Sequence, residues 1–338
     1  QVTRDYIQSI YSRMDVLLES GDERGESSYN SLLNDVARDL KSTSIVTESE
    51  GATVAFVDGY EAPLIVQKSD GGFGYATTDL AAIRHRVGTL NADRVIYVVG
   101  TPQSQHFQQV FAIARKAGWT KDASFEHAAF GSVLGDDGKI FRTRAGGTVK
   151  LADLLDEAET RAFDLVTAKT PDLPELERKS IAHDVGIGAV KYFDLLRDRL
   201  GDYKFSFDAM LSMDGNTAPY LQYAHARIRS IFRKAESSSI SFDKSALIQL
   251  NDPTEIALAK TLLRFGETVE GVARELKPHF LCTYLYELSG KFSTFYEACP
   301  VIQSDEPTRS SRLALCDLTA RTIAKGLDLL GIGHPERM

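Results

Sequence analysis

The 338-residue chain is 43% hydrophobic and 25% charged, an ordinary globular composition, and its length favours two domains over one compact core. A formal net charge of −8 speaks against an indiscriminate nucleic-acid binder, and the odd set Cys282, Cys299 and Cys316, without CxxC spacing, suggests neither a disulfide framework nor a zinc site. No apolar run reaches the roughly eighteen residues of a membrane span, and the N-terminus lacks the apolar core of a signal peptide, so a cytoplasmic protein off the membrane is expected.

The first element is helical, with Ile7, Ile10, Met14 and Leu17 recurring at helical spacing. Residues 52–57 and 64–67 read as short strands bounded by Gly, Asp and Pro. A helix over 78–90, an apolar strand over 95–99 and a helix from about 103 to 117 then form a βαβ-like unit, which predicts an α/β sheet. After Trp119 a β-rich stretch over 125–134 meets the turn Asp136-Asp137-Gly138 and continues over 139–144, a hairpin signal, before helices resume at Leu151. From Pro219 onward only helices are predicted. Leu258, Leu262, Phe265, Val269, Val272 and Leu276 follow a four-three spacing, which Leu281, Leu285, Leu288, Phe292 and Phe295 repeat after Pro278, and Ile323, Leu327 and Leu330 add a last helix. Asp252-Pro253-Thr254-Glu255 supplies a cap, a proline at the first helical position and an acid three residues after the cap. The charge is uneven: roughly +1 from Pro219 onward leaves roughly −9 for residues 1–218, so a nucleic acid would be handled mainly by the second part.

One segment invites a chemical reading. Gly71 and Gly72 mark a tight turn, Tyr75 is expected to end a short strand, and Thr77 or Thr78 can cap a helix whose first turn would hold Asp79. A carboxylate there could face a cationic ligand. Local chemistry alone fits an ordinary first-turn helix acid and a strand aromatic equally well.

KSDGGFGYATTDLAAIRHRV resembles a signature of arginyl-tRNA synthetases, and DRVIYVVGTPQSQHFQQVF, FGSVLGDDGKIFRTRAGGTVKLADLLDEA, VGIGAVKYFDLL, DGNTAPYLQYAHARIRSIFRKAE and the terminal GIGHPERM follow in matching order. The resemblance spans essentially the whole chain. It implies an α/β fold: part of a class I synthetase nucleotide-binding, Rossmann-like catalytic domain in residues 1–218, followed by an all-α anticodon-binding bundle in 219–338. By the same resemblance Tyr75 and Asp79 hold the arginine side chain, Gln103 is a third substrate-pocket residue, and His106 lies near the adenylate in the ATP site. A carboxylate meets a planar guanidinium through two parallel hydrogen bonds, which a lysine ammonium cannot reproduce.

The stretch KIFRTRAGG, 139–147, falls where class I synthetases carry the KMSKS loop, whose cations neutralise charge on the leaving pyrophosphate. The motif is degenerate here, and Lys139, Arg142 and Arg144 are the candidate catalytic cations; a solvated basic hairpin is the bland alternative. None of the seven histidines stands in the HxGH motif with which class I synthetases bind ATP, so the chain is expected to begin after that motif and to lack the family's N-terminal domain.

In the helical part the resemblance places Tyr220, Arg227 and the terminal Met338 near the anticodon loop, where aromatic stacking and phosphate contact are the expected physics. Tyr220, Tyr223 and Ile228 also have a spacing compatible with helix core. The implied activity is ATP-dependent ligation of L-arginine to tRNA-Arg through an arginyl-adenylate, with Mg2+ arriving on ATP and no protein-bound metal. A monomer is expected, and this chain on its own is expected to be inactive. A pure RNA-binding module acting through the helical part stays open on the residues alone.

Overall fold

The computed structural model describes residues 2–135, 138–139, 150–243 and 246–338. It divides into two compact units, Leu18–Ser132 on one side and Gln1–Leu17 with Val133–Met338 on the other. Helix α1 (Val2–Arg13) belongs to the second unit. It ends earlier than the apolar spacing suggests: Asp15 takes a positive φ of 50°, and Leu17, beyond the turn, is 94% exposed.

In the first unit, α2 (Leu33–Lys41) buries Leu33, Val36, Ala37 and Leu40, the stripe that a 3.6-residue period places on one face. Strands β1 (Val46–Ser49), β2 (Ala52–Ala55) and β3 (Leu64–Gln67) form an antiparallel sheet in that order. Glu50 and Gly51 join β1 to β2 with positive φ at both positions, the two-residue turn whose twist suits a hairpin. Helix α3 (Tyr75–Gly88) lays Ala76, Leu80, Ala81, Ala82, Ile83 and Val87 into the core. Strand β4 (Arg94–Tyr97), helix α4 (Ser104–Lys116) and strand β5 (Ser124–His127) follow, with β4 and β5 parallel. The predicted helix–strand–helix run is present as α3, β4 and α4, and β5, expected within a hairpin, instead completes a parallel βαβ unit with β4 and α4. Val95 and Tyr97 of β4, Phe125 of β5 and Phe107, Val110, Phe111 and Ile113 of α4 share one core with α2, β3 and α3.

In the second unit, β6 (Val133–Leu134) precedes α5 (Leu151–Lys169) and α6 (Glu175–Leu195), and β7 (Tyr203–Lys204) pairs with β6 in parallel. The β-rich stretch therefore resolves into β5 and the two-residue β6. The described partner of β6 is β7 rather than a hairpin strand, while 136–137 and 140–149 lie outside the described residues. Helices α5 and α6 approach closely where Gly186 faces the backbone of Ala158 and Glu159, at 2.9–3.0 Å from where a Cβ would stand. The short α7 (Phe207–Met210) leads to α8 (Ala218–Ser237), which Thr217 caps by accepting the Tyr220 N–H.

Helices α9 (Pro253–Leu263), α10 (Phe265–Glu275), α11 (His279–Ala298) and α12 (Thr308–Leu329) complete the all-α part. The continuous four-three pattern from Leu258 to Leu276 is divided between α9 and α10 at Arg264, and Leu276 closes α10 in the left-handed region. Leu221, Ile228 and Ile231 of α8 share a core with Leu258, Leu285, Leu288, Phe292, Phe295 and Ile323. Cys282, Cys299 and Cys316 are buried and free. No helix among the described residues is long and apolar enough to cross a membrane.

The start of α9 is the expected capping box, and it does more than cap. Glu255, 2% exposed, accepts the N–H groups of Asn251 and Asp252 on one oxygen and the Arg312 guanidinium at 2.7 Å on the other, tying α9 to α12. Burial alone would raise the Glu255 pKa, but those N–H donors and Arg312 outweigh it and hold the carboxyl below its ordinary 4.5. A carboxyl so depressed contributes stability that is complete above its unfolded pKa and is lost as pH falls through the folded one. Glu255→Leu should therefore cost about 3 kcal/mol in urea unfolding at pH 7, because it leaves Arg312 without its buried partner. The difference from the native chain should shrink on acidification below the ordinary 4.5.

Candidate functional site

The loop before α3 is shaped by its glycines. Gly71 takes φ +83°, Asp70 accepts the Gly72 N–H at 2.8 Å, and Lys68 N–H returns to the Gly72 carbonyl at 2.8 Å. Gly74, extended and without a side-chain cap, starts α3, so Tyr75 stands at the first helical position instead of ending a strand. Thr77 is not a cap either. It is fully buried and donates its hydroxyl to the Val66 carbonyl, pinning the first turn of α3 to β3. Asp79 consequently begins the second turn, beyond the strongest influence of the helix N-terminus.

The Asp79 carboxylate finds its partner on α4 instead. His106 Nε2 lies 2.7 Å from Asp79 Oδ2, with side-chain exposures of 14% for His106 and 28% for Asp79. Tyr75 is 69% exposed and stands edge-on to the His106 ring at 4.9 Å between centroids, one helical turn from Asp79 on the same face of α3. The expected residues Tyr75, Asp79 and His106 thus meet in one cluster. Phe107 packs behind, 5.1 Å from His106 and 4.8 Å from Tyr97.

Gln103 directly precedes α4, exposed, with its N–H on the Gly100 carbonyl at 3.1 Å. Its loop follows the carboxyl end of β4, where open parallel sheets place ligands, and is tied to the segment after β5 by Thr101, which donates its N–H and hydroxyl to the Phe130 carbonyl. The sequence reading did not single out Arg86 and Tyr97. Arg86 donates to the Tyr97 hydroxyl at 2.8 Å, and burial pushes the Tyr97 pKa up to about 12, the Asp79 charge adding to this and Arg86 opposing it. Their sequence signal was slight: Arg86 is one of several cations around His85, and Tyr97 sits in a short apolar strand.

Chemically, the cluster presents a partly exposed carboxylate beside an exposed aromatic face. One oxygen is engaged by His106, and an ionised carboxylate has about four acceptor positions. That suits a planar cation. The remaining expected residues lie apart from this cluster in the chain. Lys139 is exposed, its carbonyl accepting the Gly135 N–H at 2.8 Å, and Arg142 and Arg144 lie outside the described residues. Tyr220 is half-buried against the core of α8, α9, α11 and α12 and faces Tyr286 at 5.5 Å. Arg227 is exposed, with its guanidinium 5.1 Å from the Tyr296 ring centre. Met338 packs against a different core, that of α5 and α6. Among the described residues no group of three or more His, Cys, Asp or Glu could hold a metal ion. Thr77→Val should cost about 1–2 kcal/mol in unfolding free energy by orphaning the Val66 carbonyl, without changing the length of α3 by circular dichroism.

A family model described as tRNA synthetases class I (R), catalytic domain, matches residues 1–207, and a DALR anticodon binding domain matches 221–338. The chain is 52% identical to the arginine–tRNA ligase of Hahella chejuensis and 50% identical to that of Thermobifida fusca, in each case over its full length and over 59% and 60% of the relative. It therefore spans about three-fifths of the length of these curated relatives. Among solved structures it resembles arginyl-tRNA synthetase from Plasmodium falciparum, with a TM-score of 0.87 and 32% identity over 99% of this chain and 57% of that one. The Thermus thermophilus enzyme superposes with a TM-score of 0.81 at 30% identity, covering 91% of this chain and 58% of that one. With a class I catalytic segment followed by an all-α anticodon-binding domain, and with its sequence aligning to these relatives along its whole length, the chain belongs to the arginyl-tRNA synthetase family.

Proposed function

We propose that the protein to which this chain belongs ligates L-arginine to tRNA-Arg in two steps. The arginine carboxylate attacks the α-phosphate of Mg-ATP, forming arginyl-adenylate and expelling pyrophosphate. A ribose hydroxyl of the terminal adenosine of the tRNA then takes the arginyl group and AMP leaves. An amino-acid carboxylate is already ionised at neutral pH, so positioning and charge stabilisation carry the chemistry rather than a general base. Within residues 1–218, Asp79 pairs with the guanidinium, Tyr75 packs beside it, Gln103 donates and accepts with its amide, and His106 lies near the adenylate. Lys139, Arg142 and Arg144 neutralise the departing pyrophosphate. Residues 219–338 hold the anticodon arm, with Tyr220, Arg227 and Met338 as contacts. The protein works as a cytoplasmic monomer with ATP and its Mg2+ as substrate.

The observation that carries this reading is the Asp79 carboxylate, oriented by His106 and left partly open beside the exposed Tyr75 ring. Asp79→Asn keeps the shape but removes the charge and one paired acceptor. In the full-length protein it should raise KM for arginine about 100-fold, as expected for a charge-assisted pair, and leave KM for ATP within about twofold. An unchanged arginine KM would remove Asp79 from the site. The 338-residue chain, with no HxGH among its histidines, should show no arginine-dependent pyrophosphate exchange with ATP and tRNA-Arg present; measurable exchange would contradict that part of the reading.

A further inference from the structure

After α12, residues 330–338 carry no regular secondary structure, and such a stretch is ordinarily loose. Here it is held. Ile332 and Pro335 are buried, and four backbone carbonyls are each taken by a side-chain donor from a helix. Lys191 of α6 donates to Gly331, Gln222 of α8 to Gly333 at 2.8 Å, and Arg233 of α8 to Glu336 at 2.9 Å. The His225 ring of α8 donates from Nδ1 to Pro335 at 3.2 Å. Gln222, His225, Arg229 and Arg233 succeed one another at spacings of three and four, so one stripe of α8 faces the tail. Arg229 adds an ion pair to the Glu336 carboxylate at 2.7 Å.

The tail grips α6 as well as α8. Gln222, fully buried, donates from the same amide nitrogen to the Asp184 carbonyl of α6 at 2.9 Å. A Cβ on Gly333 would stand 2.5 Å from Asp184 Oδ1, and one on Gly188 of α6 would stand 2.9 Å from Ile332 and 3.0 Å from Gln222. Backbone, glycine and amide therefore occupy a space with no room for substitution. Helix α6 lies within the catalytic-family match and α8 runs into the anticodon-domain match. Carbonyl capture by long side chains fixes the path of the tail through its backbone, which is the arrangement of a strap rather than of a recognition peptide.

We propose that residues 331–338 are a strap locking α8 against α6, with Gln222 as its central positioning residue, so that tRNA held on the helical domain stays in register with the catalytic segment. This rests on the reading that residues 219–338 bind tRNA-Arg. The experiment compares Gln222→Met with the native protein in two measurements. In the 338-residue chain, the heteronuclear 15N NOEs of residues 333–338 other than Pro335 should be lost, because these residues are held through their carbonyls, while the core of α11 and α12 keeps rigid values. In the full-length protein, kcat for aminoacylation should fall about tenfold while KM for tRNA-Arg stays within about threefold, a split that simple loss of stability would not produce. If Gln222→Met fails to fold, Arg233→Met at the outer end of the strap should give the same split and Arg233→Lys should restore kcat. Lost tail NOEs with full kcat would overturn the coupling role, and unchanged tail NOEs would overturn the strap itself. Native protein that does not charge tRNA-Arg would instead strike at the functional reading on which the strap depends.

Discussion

A single hydrogen bond, from the His106 ring on α4 to the Asp79 carboxylate on α3, holds together the surface that a ligand would meet. Neither residue is positioned by its own helix alone. Helix α3 is set by Thr77 on Val66 and by the alanine-rich face it presents to the core, whose small side chains allow a close approach. His106 is set by Phe107, which sits among Tyr97, Phe111 and His127, so the imidazole leans on a packed aromatic cluster. Such clusters combine large buried area with preferred ring geometry, and this is how a partly exposed carboxylate can be held in place without being buried itself.

On the proposed reading, that joint gives selectivity for arginine a chemical basis. A fixed carboxylate with open acceptor positions rewards a planar, bidentate donor more than a compact ammonium, and the neighbouring Tyr75 ring offers a face on which a guanidinium can lie. Tyr97, driven to a high pKa and engaged by Arg86, stays neutral and adds no second negative charge beside Asp79. The cluster thus has one negative centre beside an aromatic one, which is what a guanidinium needs and a neutral side chain would waste.

Strong periodicity made the helices of the second half readable, but not their ends. The spacing from Leu258 to Leu276 runs straight through Arg264 because α9 and α10 present their apolar faces to the same core, so the break leaves no trace in the pattern. Strand β1 escaped notice because it is mostly exposed, and Val-Thr-Glu-Ser has no alternation to detect. At the site, the family resemblance picked out Tyr75, Asp79, Gln103 and His106 one by one. It could not reveal that Asp79 pairs with His106, since that contact spans 27 positions and depends on how α3 packs on α4. The cap assigned to Thr77 or Thr78 failed for a related reason: a buried hydroxyl is worth more to the Val66 carbonyl than to a helix end already started by Gly74. The strap at 331–338 was equally hidden, because its donors lie more than a hundred residues upstream and GIGHPERM has no periodicity that would mark a packed element.

The central claim is that Asp79, joined to His106, is the arginine-selecting group. The most direct measurement follows the His106 imidazole resonances of the 338-residue chain, labelled with 15N-histidine, during titration with L-arginine and with citrulline, which has nearly the same shape but no charge. Arginine should shift the His106 signals in a saturable way, because its guanidinium shares the carboxylate that His106 touches, and citrulline should leave them in place. Silence with arginine, or equal shifts with both, would contradict the account.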